Sequence, residues 1–164
     1  TYPMGYNSSV YINDYDAIRY LNHAINKLSV EGKEIILVGS QSGTIAYDTG
    51  NLSQYTIPQY VFLLGTQPDA VVLCINPFDE IEYIRNTIQF IESCSNGKVV
   101  ALVLFPMDFK DNWMIYSAKQ KMSDDRCKEV IDVICSKIKI PTYVLGKQED
   151  MIELVEVITD YFVQ

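Results

Sequence analysis

Four short apolar runs, rich in β-branched residues, punctuate the chain, and each stops at small or turn-forming residues. Ile35-Ile36-Leu37-Val38 meets Gly39-Ser40-Gln41-Ser42-Gly43-Thr44, and Val71-Val72-Leu73-Cys74-Ile75 meets Asn76-Pro77. Val99-Val100-Ala101-Leu102-Val103-Leu104 meets Phe105-Pro106, and Tyr143-Val144-Leu145 meets Gly146-Lys147. Near-continuous apolar runs of this length mark strands buried on both faces of a parallel sheet. The pattern predicts strands over 33–38, 70–75, 98–105 and 142–145.

The intervening segments change period from two to three and four. Asn13 or Asp14 caps a helix whose inner stripe is Ala17, Ile18, Leu21, Ala24, Ile25 and Leu28, ending near Gly32. Pro58 is placed to open a short helix over 59–64, closed by Gly65. Asp79 is placed to cap a helix with Ile81, Ile84, Ile88 and Ile91 inward, stopped by Asn96-Gly97. Ser123 caps a helix with Val130, Ile131, Ile134 and Ile138 inward. A final helix opening at Glu149 or Asp150 puts Ile152, Val155, Ile158 and Phe162 inward. Residues 39–56 and 106–122 read as two long polar loops, a length that is usually functional or mobile.

Strands alternating with helices, joined by right-handed crossovers, give a parallel sheet with helices on both faces. The expected fold is therefore α/β: a three-layer sandwich on a small, mainly parallel sheet, Rossmann-like in architecture. Residues 1–164 are expected to form a single domain. The chain opens at Thr1 without an initiator Met, so it is expected to be the C-terminal domain of a longer protein.

Composition narrows the classes of partner. Apolar residues make up 48% and charged residues 21%, as in a globular chain with a full core. The net charge of −8 and the lack of a basic stripe disfavour nucleic acid and anionic membrane surfaces. No apolar run approaches the roughly 20 residues that span a bilayer, and no secretory leader is visible. The four cysteines, Cys74, Cys94, Cys127 and Cys135, lack the spacing of a zinc or redox motif. They read as reduced thiols of a cytoplasmic protein, with Cys74 inside a buried strand. The sole histidine, His23, lies beside the apolar stripe of the first helix, so His-based triads and metal sites are disfavoured.

Ligands of parallel sheets gather at strand carboxyl ends. The loop Gly39, Ser40, Gln41, Ser42, Gly43 and Thr44 is the first candidate. It lacks the central serine of a nucleophile elbow, since Gln41 holds that place. It also lacks the lysine of a phosphate-binding loop: three residues separate its glycines and Thr44 follows. Its amides and hydroxyls still suit an anion or a polar ligand, and the plain alternative is a tight turn. Asn76 offers a side-chain donor, and Asp79 a base or metal contact, against the plain alternative of a helix cap. Asp108, Lys110, Asp111, Asn112 and Trp113 form the third candidate. They could bind a hard cation, but their spacing matches no calcium loop and a solvated loop is the plainer reading; Trp113 suits a lid or partner contact, or equally a side chain folded back on the sheet. Tyr47, Tyr55 and Tyr60 cluster near the first loop and suit an interface.

Ile36-Leu37-Val38-Gly39-Ser40-Gln41-Ser42-Gly43-Thr44 with Ala46-Tyr47, and Leu64-Gly65-Thr66-Gln67-Pro68-Asp69-Ala70-Val71-Val72-Leu73-Cys74, resemble the second half of P-loop proteins related to dethiobiotin synthetase. With Phe109-Lys110-Asp111-Asn112-Trp113 they resemble a clostridial family of peptide maturation system proteins, encoded near radical-SAM enzymes and transporters. The likeness covers roughly residues 30–115, and the rest by element order alone. It implies a P-loop-like α/β layer and a role accessory to maturation of a ribosomal peptide. The chain departs from the nucleotide-handling pattern: it carries no phosphate loop, Val38 replaces an acidic residue, and Phe105-Pro106 replaces an adenine-reading Asn.

The expected function is an accessory binding domain that is non-catalytic on its own, with a peptide or protein partner. A homodimer is among the assemblies considered. No cofactor is expected within residues 1–164; a nucleotide with Mg²⁺ would need an upstream phosphate loop. The alternatives are half of an ATP-dependent kinase or ligase, with Mg²⁺ near Asp79 or Asp108, and a small-ligand sensor.

Overall fold

A computed structural model of the protein describes residues 13–40, 44–46, 52–109 and 119–163. The chain divides into two compact units, one of Thr1–Asp69 with Phe90–Gly97, the other of Ala70–Gln89 with Lys98–Gln164.

The first unit is helical. α1 (Asp14–Val30) starts where Asn13 Oδ1 accepts the Asp16 N–H at 2.9 Å, which satisfies one of the helix's orphan amides. It ends at Glu31, and Gly32 follows at φ +74°, a conformation that favours glycine. The stripe of Ala17, Ile18, Leu21, Ala24, Ile25 and Leu28 is half-buried, and α1 packs on α2 (Leu52–Thr66). α2 continues on both sides of Pro58, so Pro58 lies inside the helix and does not open it. Gly65 also lies within α2 and does not close it. Its bare Cα lets Leu21 approach: a Cβ there would stand 2.7 Å from Leu21 Cβ. Asn22 Nδ2 donates to Gly65 O at 2.8 Å beside this contact.

Residues 33–38 are not a strand. Among the described residues no strand pairs with them, and Ile35 and Leu37 are 70% and 88% exposed. Apolar composition signals burial, but a strand also needs a neighbour to take its backbone hydrogen bonds.

The second unit is α/β. β1 (Ala70–Ile75), β2 (Lys98–Leu104) and β5 (Thr142–Val144) form a parallel sheet in the order β1-β2-β5. The register sets Ile75 beside Leu104, and Leu104 beside Val144. The strands add in one direction, so the described sheet contains no point where strand order reverses. β2 is central, and Ala101, Leu102, Val103 and Leu104 are all buried. β1 alternates: Leu73 and Ile75 are buried while Cys74 is exposed, contrary to its expected place in a buried strand. The two-residue period puts Cys74 on the opposite face, which stays open at this edge of the sheet.

α3 (Ile81–Cys94) links β1 to β2, and its residues 81–89 belong to this unit. α4 (Asp124–Lys137) precedes β5, with Ser123 Oγ accepting the Arg126 N–H at its start. Right-handed crossovers between strands added in one direction place α3 and α4 on one face. Arg85 Nη2 on α3 accordingly donates to the carbonyl of Lys137, the last residue of α4, at 3.0 Å. Ile84, Cys127, Ile134 and Ile138 are buried, in keeping with the helical stripes. The ends of the expected 106–122 loop are paired as β3 (Met107–Phe109) and β4 (Lys119–Lys121), antiparallel, with Asp108 opposite Gln120. At three residues each, Met-Asp-Phe and Lys-Gln-Lys are too short for a periodic signal, yet pairing satisfies backbone groups that a loop leaves to water.

α5 (Gln148–Val163) follows β5 and packs on β2 and β5. Ile158 is half-buried as expected, but Ile152, Val155 and Phe162 are exposed, contrary to the inward stripe read from the sequence. The helix carries apolar residues on two faces and turns only one toward the sheet. No described helix is long and apolar enough to cross a membrane.

Candidate functional site

Three strand ends define the carboxyl edge of the parallel sheet. Phe105 N–H donates to Ile75 O at 2.8 Å, and Leu145 N–H donates to Leu104 O at 2.9 Å. Asn76, Phe105 and Leu145 therefore leave the sheet side by side, and Phe105 and Leu145 stay partly open to solvent.

A carboxylate closes each flank of this edge. At the β1 end, Asp79 Oδ2 accepts the backbone N–H of Asn76 at 2.7 Å and lies 3.4 Å from Asn76 Nδ2. Asp79 N–H donates back to Asn76 O at 3.1 Å, so the two residues clamp a turn around Pro77. Asp79 thus does not stand as the residue opening α3: the helix begins at Ile81, and Ile84 N–H donates to Glu80 O. Tyr83 lies one turn into α3, and its phenol is pushed above its ordinary value by partial burial and then by the Asp79 charge.

At the β5 end, Asp150 Oδ2 accepts the Val144 N–H at 2.8 Å, and Lys147 Nζ lies 2.9 Å from Oδ1. The hydrogen bond that Lys147 Nζ donates to Asp150, followed by the Asp150 charge, holds the exposed Lys147 ammonium above its ordinary value. Gly146 at φ +83° makes the tight exit between Val144 and Lys147. Sequence reading missed Asp150 and Lys147 as parts of this edge. The available signal was the Gly146-Lys147 turn followed by an acidic first helical turn.

Of the other candidates, Gly39, Ser40 and Thr44 belong to the first unit, and Asn76, Asp79 and Asp108 to the second. Ser40 Oγ donates to Gln59 Oε1 at 2.7 Å, and Gln59 and Thr44 are both buried. Gln59 is a polar residue of α2 that the sequence did not single out. Gly39 has open space around it, with nothing within 4 Å of a Cβ placed there. Asp108 is half-buried on β3. Gln41, Ser42, Gly43, Lys110, Asp111, Asn112 and Trp113, like Tyr47, lie outside the described residues, as does the side chain of Tyr55.

Chemically, the edge is a frame. Both of its clamping carboxylates are bonded to strand-end amides, and Asp150 also holds a cation. Among the described residues, no group of three or more His, Cys, Asp or Glu side chains gathers as a metal cradle. Comparison with protein-family models, with curated proteins and with solved structures returned no match.

Proposed function

We propose that this chain is an accessory binding domain of a bacterial, cytoplasmic ribosomal-peptide maturation system, Rossmann-like and P-loop-like in its layers and non-catalytic on its own. One observation carries the reading: Ile35, Leu37 and Val38 are exposed immediately before the glycine-serine loop. Exposed apolar side chains clustered in this way, here interrupted only by the half-buried Ile36, mark interaction surfaces. An apolar stretch that no strand pairs with among the described residues also offers a peptide backbone a partner for strand addition, with alternate side chains giving specificity. The resemblance of residues 36–47 and 64–74 to peptide maturation proteins points the same way. The clamped state of Asp79 and Asp150 further favours a frame over acid–base chemistry at the sheet edge.

The test is retention of the chain on an immobilised precursor peptide of the proposed maturation system. The unmodified chain is retained, and Ile35→Ser with Leu37→Ser releases it. Retention unchanged in that variant, and also in Gln41→Ala with Asn76→Ala and Trp113→Ala, contradicts the reading.

A further inference from the structure

α5 presents three faces. At about 100° per residue, Met151, Leu154 and Ile158 fall on the side toward the sheet, and all three are half-buried. Ile152, Val155, Thr159, Phe162 and Val163 fall on a second face, where the apolar members are 54%, 61%, 56% and 80% exposed. Glu149, Glu153, Glu156 and Asp160 recur at four, three and four residues and form a continuous row along the border of that apolar face. Two shallow open depressions lie on the same side, lined by Lys147, Gln148, Glu149 and Ile152 and by Gln148, Met151, Ile152, Val155 and Glu156.

The charge pattern selects the occupant. α5 contains no Lys or Arg, so its acidic row has like charges at helical-neighbour spacing with no cation on the same helix. Such spacing is destabilising until an opposite charge arrives. A second copy of this chain would bring another acidic row to the seam, and a net charge of −8 adds to the repulsion. An anionic membrane is repelled for the same reason. The exposed stripe from Ile152 to Val163 runs about 16 Å, the length of three helical turns.

We propose that the exposed face of α5 docks a basic amphipathic helix of another protein. The apolar side of that helix covers Ile152, Val155 and Phe162, and its flanking Lys or Arg residues pair with Glu149, Glu153, Glu156 and Asp160. This surface lies wholly in the second unit and is independent of the reading given to Ile35 and Leu37.

The probe is a labelled synthetic helix of about 18 residues, long enough to hold helical structure, with a leucine face bordered by lysines. A twin with glutamate in place of lysine is the control, and binding to the 164-residue chain is read by fluorescence anisotropy. The leucine–lysine helix binds. Its affinity falls at least about tenfold with Val155→Ser and Phe162→Ser, and equally with Glu153→Lys and Glu156→Lys. Asp125→Lys with Glu129→Lys, on exposed α4, changes it less than about twofold. Absent binding, equal binding of the glutamate twin, or an equal loss in the α4 variant overturns the proposal. So does a dimeric chain that Val155→Ser turns into a monomer. Hydrogen exchange on the unmodified chain gives a readout free of folding effects: the probe protects α5, and protection confined to other elements overturns the proposal.

Discussion

Asp150 on the first turn of α5 accepts the backbone N–H of Val144, the last residue of β5, at 2.8 Å. Its other carboxylate oxygen lies 2.9 Å from the Lys147 ammonium. One side chain therefore ties the helix to the strand end, and the two bonds differ in worth. The Val144 bond is made by a side chain that is only 15% exposed, whereas the Lys147 partner is 53% exposed. Asp150→Ala is expected to cost about 1–3 kcal/mol, because it strands a backbone donor. Lys147→Gln is expected to cost no more than about 0.5 kcal/mol, since exposed pairs contribute little. Urea unfolding of the two variants checks the order; equal losses contradict it.

Gly65 lets Leu21 of α1 pack directly against the backbone of α2. Gly65→Ala is expected to destabilise by about 1–3 kcal/mol through overpacking against Leu21. Adding Leu21→Gly removes the Cβ, Cγ and Cδ1 that a Cβ at position 65 would meet, so the double variant is expected to lose at least about 1 kcal/mol less than the sum of the singles. A double-mutant cycle by thermal or urea unfolding measures the coupling. Strict additivity would show that the contact is absent.

Thiol reactivity separates the four cysteines. Cys74 and Cys135 are exposed, while Cys127 is buried and its thiol is held above the ordinary value chiefly by burial, with Asp124 adding to it. The thiolate is the reactive form, so native-state alkylation is expected to mark Cys74 and Cys135 first and Cys127 last. Mass spectrometry of partially alkylated chain reads the order. Early labelling of Cys127 would contradict the packing of α4.

Alkaline pH is expected to loosen the second unit. Burial raises Cys127 from 9.0, and burial raises Tyr83 and Tyr143 from 10.0, with nearby carboxylates adding to each. Lys147 is raised from 10.5 by its Asp150 bond. The folded chain holds each of these protons more tightly than the unfolded chain. Stability is therefore complete below the unfolded values and is lost as pH rises through the folded ones. The urea midpoint should be level up to about pH 8.5 and fall from about pH 9 upward. Tyr83→Phe should make that fall shallower. A midpoint rising between pH 9 and 11 contradicts the assignment.

Most of the second unit was legible. Residues 70–75 and β1 coincide, and the run from Val99 to Leu104 lies within β2, because a continuous apolar stretch ended by Asn-Pro or Phe-Pro has few other uses. Asn13 and Ser123 cap helices as their positions indicated. Residues 33–38 misled because their composition matches a buried strand, while pairing depends on a neighbour that sequence does not specify. Ile152, Val155 and Phe162 misled because α5 has apolar residues on two faces, and periodicity does not say which face the sheet takes. At the candidate site, sequence placed Asn76 and Asp79 at a strand end, but read Asp79 as a helix cap or a base or metal contact and not as the clamp on the Asn76 N–H. Asp150 was not placed there, because a carboxylate in a first helical turn reads as an ordinary cap until its contact with Val144 is seen.

The central claim is that the chain binds a peptide and does not process nucleotides by itself. Calorimetric titration tests it most directly, with a precursor peptide of the proposed maturation system in one series and ATP with Mg²⁺ in the other. The account predicts saturable heat with the peptide, lost on Ile35→Ser with Leu37→Ser, and none with ATP and Mg²⁺. Saturable binding of ATP with Mg²⁺ and no heat with the peptide would contradict it.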